Sequence, residues 1–244
     1  MRLPRIIFLI GPSSAGKSTL AEIIKQEFPK YEIISDLDEL KKLAEAELEK
    51  ENKSQNKFKF FPSGGFDILD PKIWDDILIL TAKKVLPEEF YIFEFSRGID
   101  PKYLTILGIS EEEVYERCFK LFFQTKPEIK IKDTLIIHVK CDFSNRLKRN
   151  RRRKKENKHF VAEKVMQNVY REDIFHYIHT GPNSGYFNEM MKILVYSIDN
   201  SKELILQDRE KYFRIKIDEA LSFYNSKVLS KVNNKKEVRY YENT

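Results

Sequence analysis

The chain has 244 residues, with 44 Lys and Arg against 38 Asp and Glu and a formal net charge of +6; this suits one domain with insertions and favours anionic partners, nucleotide or nucleic acid. Cys118 and Cys141 are the two cysteines, and their distant spacing excludes a disulfide-stapled scaffold and predicts reduced, structural thiols. No apolar run reaches the ~18 residues of a membrane span, and Met1-Arg2-Leu3-Pro4 leads directly into apolar sequence, so a soluble, cytoplasmic protein without a signal peptide or membrane partner is expected.

Arg5 to Ile10 predicts a short buried strand, and Gly11-Pro12-Ser13-Ser14-Ala15-Gly16-Lys17-Ser18 follows at once. The octet has the Gly-x4-Gly-Lys-Ser spacing of a phosphate-binding loop. A backbone wrapped around a phosphate chain must point successive N–H groups inward, which a Cβ at either glycine would obstruct. Gly11, Ser13, Ser14, Ala15 and Gly16 are expected to line that cradle, Lys17 to reach the outer phosphates, Ser18 to hold magnesium and Thr19 to touch the α-phosphate. The helix that opens at Gly16 and reads amphipathic from Thr19 to Phe28 adds its positive end. The ligands implied are ATP, or another nucleoside triphosphate, and Mg2+.

Further along, Tyr31 to Ser35 reads as a second strand, and Asp36-Leu37-Asp38-Glu39 opens a charged helix to about Glu51. From Asn52 to Asp70 the pattern breaks into a loop or substrate-side insertion. Asp70 and Pro71 start a helix whose apolar face includes Ile73, Trp74, Ile77 and Leu78. Phe90 to Phe95 is a third strand, left through the turn-rich Ser96-Arg97-Gly98-Ile99-Asp100-Pro101. Ser110 and Glu113 form a capping-box signature for a helix over Val114 to Phe123. Thr134 to Lys140 is the fourth strand. Asp142 caps a helix bearing Arg146, Arg149, Arg151, Arg152 and Arg153, Val161 to Tyr177 reads as helix, and Ile193 to Ile198 is the fifth strand. A last helix is expected from about Asp208 to Phe223, then a basic tail. Strands alternating with helices predict an α/β three-layer sandwich around a mostly parallel, five-stranded sheet with a helical lid.

Three landmarks in this order resemble the nucleoside and nucleotide kinases of the P-loop class, especially deoxynucleoside kinases and thymidylate kinase. They are the octet at Gly11 to Ser18, Glu94-Phe95-Ser96-Arg97 at the third strand's end, and the arginine-rich Arg146 to Arg153, similar to a kinase lid. The Asp36-Leu37-Asp38 pair is instead similar to that of shikimate-type and polynucleotide-type kinases. The resemblance implies residues 1–225 as a kinase-like domain, with a substrate-side insertion at about 52–70 and a lid at about 143–160, followed by a basic tail at 226–244.

Phosphoryl transfer requires cations, a metal site and a carboxylate that orients the attacking hydroxyl. Asp36 ends a strand, on the rim where open parallel sheets bind ligands, and is expected to orient or deprotonate the acceptor hydroxyl, with helix capping as the alternative. Asp38 could hold substrate or a magnesium-bound water. Glu94 projects from the same rim as a metal-side carboxylate or as the base, and Arg97 would clamp the acceptor. Arg149 and Arg153, sharing a helix face with Arg146, would neutralise transition-state charge; a solvated basic face is the alternative. His176 and His179 fit an amphipathic helix better than a metal pair. The reading is an ATP- and magnesium-dependent phosphotransferase acting on a small acceptor, a nucleoside or nucleotide. The alternatives are a polynucleotide 5′-hydroxyl kinase that meets nucleic acid, and a non-kinase nucleotide switch.

Overall fold

The computed structural model describes residues 1–49, 57–61, 66–98, 101–156, 158–175, 183–188 and 190–241. In chain order the elements are β1 (Ile6–Ile10), α1 (Lys17–Glu27), β2 (Tyr31–Ser35), α2 (Asp36–Leu48), β3 (Phe58–Phe60), β4 (Phe66–Ile68), α3 (Ile73–Lys83), β5 (Phe90–Glu94), α4 (Pro101–Leu107) and α5 (Glu113–Thr125). Then come β6 (Thr134–Lys140), α6 (Phe143–Lys155), α7 (Glu163–Asn168), β7 (Ser184–Phe187), β8 (Ile193–Asp199) and α8 (Leu206–Tyr241).

β1 is buried at all five positions, as expected of a central strand with both faces covered. Alternation then divides its side chains between two cores. Ile6, Phe8 and Ile10 pack with Leu78 and Ala82 of α3 and with Val114, Tyr115, Cys118, Phe119 and Phe122 of α5. Ile7 and Leu9 face the opposite layer, with Leu20 and Ile24 of α1 and Phe213, Ile217, Leu221 and Tyr224 of α8. Phe8 anchors the first core, meeting Phe119 and Phe122 edge to face at centroid distances of 5.1 and 4.9 Å, a favoured aromatic geometry.

The main sheet has the order β2-β5-β1-β6-β8-β7. The first five strands run parallel and β7 lies antiparallel on β8. This is an α/β fold with a mostly parallel sheet between two helical layers. Its register positions the site: Leu9 pairs with Glu94, and Ser35 with Glu94. Three neighbouring strands therefore end at one height, delivering the Gly11 loop, Glu94 and Asp36 to the same rim.

Several local expectations are corrected. The sheet has a sixth strand, β7, and the stretch expected as a loop holds a hairpin, with Phe58 opposite Ile68 and Phe60 opposite Phe66; residues 50–56 and 62–65 of that region lie outside the described residues. The helix expected over Val161 to Tyr177 is only Glu163–Asn168. Val161 cannot join it, because its N–H and C=O both bond the side-chain amide of Asn150, at 2.9 and 2.7 Å. Beyond it, Arg146 takes the carbonyls of Tyr170 and Arg171. His176, Tyr177 and His179 lie outside the described residues. α4 was not anticipated, and α8 continues from Phe223 to Tyr241. Asp142 sits at the N-cap of α6 but makes no side-chain cap bond.

Candidate functional site

The loop after β1 is shaped by backbone that only glycine tolerates at two points. Gly11 has φ +142° and a Cβ there would lie 2.4 Å from the Val139 carbonyl oxygen; Gly16 has φ +111° and a Cβ would lie 2.4 Å from Asn200 Nδ2. Between them Ser14 takes a left-handed φ of 64°, and its buried hydroxyl has no hydrogen-bond partner among the described residues. An orphaned hydroxyl in a glycine-bounded cradle at a helix start is what an anionic chain would satisfy. A nucleoside triphosphate fits the residues present.

Lys17 is buried, and its ammonium donates to the carbonyls of Gly11 (2.9 Å) and Pro12 (3.2 Å) and to the Ser96 hydroxyl (2.6 Å). Burial pushes its pKa down, opposed by the carboxylates of Glu94 and Asp36. Ser96 was missed in the sequence, since a serine in a turn-rich exit carries no signal of its own. Ser18 donates to Glu94 Oε1 at 2.8 Å. That pairing joins the hydroxyl and the strand-end carboxylate that P-loop sites use for magnesium, so Ser18 and Glu94 are the residues that would hold the ion; when bound, it would neutralise charge on the phosphate oxygens.

On the other side of Lys17, Ser35 caps α2 by accepting from the Leu37 N–H at 3.2 Å. The serine satisfies the orphan donor, so the Asp36 carboxylate is free for another partner. It forms a buried ion pair with Arg97, Nη1 to Oδ2 at 2.5 Å, with the side chains 8% and 2% exposed. Burial raises the Asp36 pKa, while Arg97 and then Lys17 pull it back. Arg97 also donates to the Ser96 and Trp74 carbonyls and lies 4.7 Å over the Trp74 ring, a cation–π contact that fixes its plane. Its Nε has no partner among the described residues.

A cavity of about 710 Å³ joins the two halves. It runs from Ser13, Ser14, Lys17, Ser18 and Glu94 past Asp36 and Arg97 into a chamber walled by Leu37, Leu40, Phe66, Ile68, Trp74 and Tyr170. Arg153 and Lys41 also line it.

Asp38 is exposed and does not line the cavity. The three arginines expected to act together are separated. Arg146 is buried on backbone carbonyls, including Cys141 O at 2.9 Å. Arg149 donates to Ala15 O (3.3 Å), Asn200 O (2.9 Å) and Cys141 Sγ (3.2 Å), bracing the phosphate loop from behind. Thr19 is half-buried in the first turn of α1 and is not part of the cavity wall.

No protein-family model matches this chain, and a search of curated proteins yields no match. Solved structures that resemble it include a gluconokinase from Sinorhizobium meliloti 1021 at 16% identity, covering 93% of this chain and 99% of that one with a TM-score of 0.48. A sugar kinase from Janibacter sp. HTCC2649 is similar at 12% identity, covering 90% and 95% with a TM-score of 0.49. Kti12 from Chaetomium thermophilum, in complex with ADP-AlF3, is similar at 15% identity, covering 88% and 98% with a TM-score of 0.44. Likeness at this level decides neither activity nor acceptor.

Proposed function

We propose that the protein is an ATP- and magnesium-dependent phosphotransferase that moves the γ-phosphoryl group to a small acceptor, a nucleoside or nucleotide. The observation that carries this reading is the single cavity in which the phosphate loop opens onto a second chamber containing the Asp36–Arg97 pair. A switch or simple hydrolase has no need of that second chamber. Its aromatic and aliphatic walls suit a planar ring system.

The roles divide by position. Lys17 leaves its carbonyl partners for the outer phosphates. Glu94 belongs with Ser18 on the metal side, which leaves Asp36 to orient or deprotonate the attacking hydroxyl. Only Oδ2 of Asp36 is engaged by Arg97, so Oδ1 serves the acceptor while Arg97 holds the carboxylate in place. Arg153, which lines the cavity, supplies positive charge to the transferring group.

The test is calorimetry with Mg-ATP, then product detection across nucleosides, nucleotides, polyols and a 5′-hydroxyl oligonucleotide. Heat of association and transfer to a small acceptor are expected, and Lys17→Ala lowers transfer at least about 100-fold, the scale of losing one transition-state charge contact. No heat, or ATP consumption that no acceptor accelerates, defeats the proposal. Preferred phosphorylation of the oligonucleotide would reassign the acceptor to a polynucleotide end.

A further inference from the structure

The cavity face of α2 continues past Asp36. Asp36, Leu37, Leu40 and Lys41 all line the same space, spread over roughly 140° of the helix surface at 3.6 residues per turn. At a rise of 1.5 Å per residue, Lys41 lies about 7 to 8 Å along the axis from Asp36. Between them the residues that line the cavity, Leu37 and Leu40, are apolar.

Lys41 does not stand alone at that end. His159, on the segment entering α7, also lines the cavity, and the charges of both Lys41 and Arg153 act on its ring. The imidazole is pushed down to about 4 by burial first and then by those two cations. The ring is exposed at the cavity mouth, where solvent screens part of the burial effect, so the neighbouring cations are the firmer cause. Lys158 is excluded from the cluster, because Glu156 pairs with it at 2.8 Å. Among the described residues no carboxylate forms an ion pair with Lys41. A lysine that faces a cavity without an ion-pair partner among the described residues favours an anion there; Asp67 lines the same cavity, and Glu94 already acts on Arg153, so the subsite centres on Lys41.

We propose that Lys41, with His159 beside it, forms an anion-binding subsite for the acceptor, which therefore bears a phosphate or carboxylate at the end remote from the hydroxyl that is phosphorylated. The acceptor is bipolar, with its hydroxyl at Asp36, an apolar or planar middle against Leu37 and Leu40, and its anion at Lys41. This deepens the phosphotransferase reading and rests on it.

The probes are matched pairs of neutral and anionic acceptors: a nucleoside against its 3′-monophosphate, and a neutral sugar against its aldonate. Trp74 lines the acceptor chamber and is the chain's one tryptophan, so its fluorescence reports acceptor binding without turnover, in the presence of magnesium and a non-hydrolysable ATP analogue. The anionic member of at least one pair is expected to bind at least about tenfold tighter, the scale of one charge-assisted contact. Lys41→Met removes that preference, raising KM for the anionic acceptor with little change in kcat, whereas Lys41→Arg retains it. The phosphate and carboxylate arms distinguish the two anions. Mg-nucleotide binding without discrimination within any pair, or equal losses for neutral and anionic acceptors in Lys41→Met, overturns the subsite and leaves the phosphotransferase reading in place. Absence of Mg-nucleotide binding overturns both.

Discussion

The two halves of the cavity are built by different means. The phosphate half is eight consecutive residues whose main chain makes the site, and its side chains matter chiefly at Lys17 and Ser18. The acceptor half gathers side chains from positions 36 to 41, 66 to 74, 97 and 158 to 170, stretches far apart in the chain that carry only short signals, Asp36-Leu37-Asp38 and the arginine of Glu94-Phe95-Ser96-Arg97. A backbone cradle suits a ligand group that is the same in every reaction, whereas a side-chain chamber can be respecified without rebuilding the loop.

Substitutions in each half sharpen that contrast. Arg97→Met should have the largest effect on stability, because it strands the buried Asp36 carboxylate; a loss of roughly 3 to 5 kcal/mol is expected, or roughly 10 °C in Tm for a domain of this size. Adding Asp36→Asn should restore much of the Tm without restoring transfer, and thermal melts of the two variants beside an activity assay check both halves of that statement. Gly11→Ala should cost about 2 to 3 kcal/mol through its positive φ and the clash with Val139, and should weaken Mg-nucleotide in calorimetry while sparing Trp74-reported acceptor binding. If acceptor binding falls equally, the halves are not separable. Ser35→Ala should cost about 1 kcal/mol as a lost cap, with a further drop in kcat as Asp36 loses its fixed helix start. The smallest effect concerns pH. Burial and the cations at Lys41 and Arg153 push the His159 imidazole down towards about 4 in the folded chain, below the ordinary 6.5 of the unfolded state, so the unfolded chain binds more protons between those values. Stability should therefore fall as pH is lowered from about 6.5 towards 4, and His159→Gln should flatten that limb of the pH–Tm curve.

The same contrast explains what could be read from residue order alone. The octet, the five parallel strands and the rim position of Asp36 and Glu94 follow from contiguous patterns or from strand ends. That Ser35 rather than Asp36 caps α2 was hidden, because both are good caps and only the Arg97 partner decides between them. Helical spacing put Arg146, Arg149 and Arg153 on one face but could not say what is docked there; the carbonyls of Ala15, Tyr170 and Arg171 come from elsewhere in the fold. The β3–β4 hairpin was obscured by the shortness of its strands, three residues each. Lys41 and His159 gave no signal because a lysine on a charged helix and a histidine after a basic run are ordinary. Their meaning lies in facing one volume.

The brace at Ala15 bears on how the arginine-rich helix is held. Arg149 and Asn200 grip one carbonyl of the phosphate loop, and Asn150, the next residue, clamps Val161. The N-terminal half of α6 is thus tied to the phosphate loop and to the chain just beyond β6 and β8. Beyond Asn150 the same helix carries Arg153 to the cavity wall, so the phosphate loop and the arginine that faces it share one support at the Ala15 carbonyl.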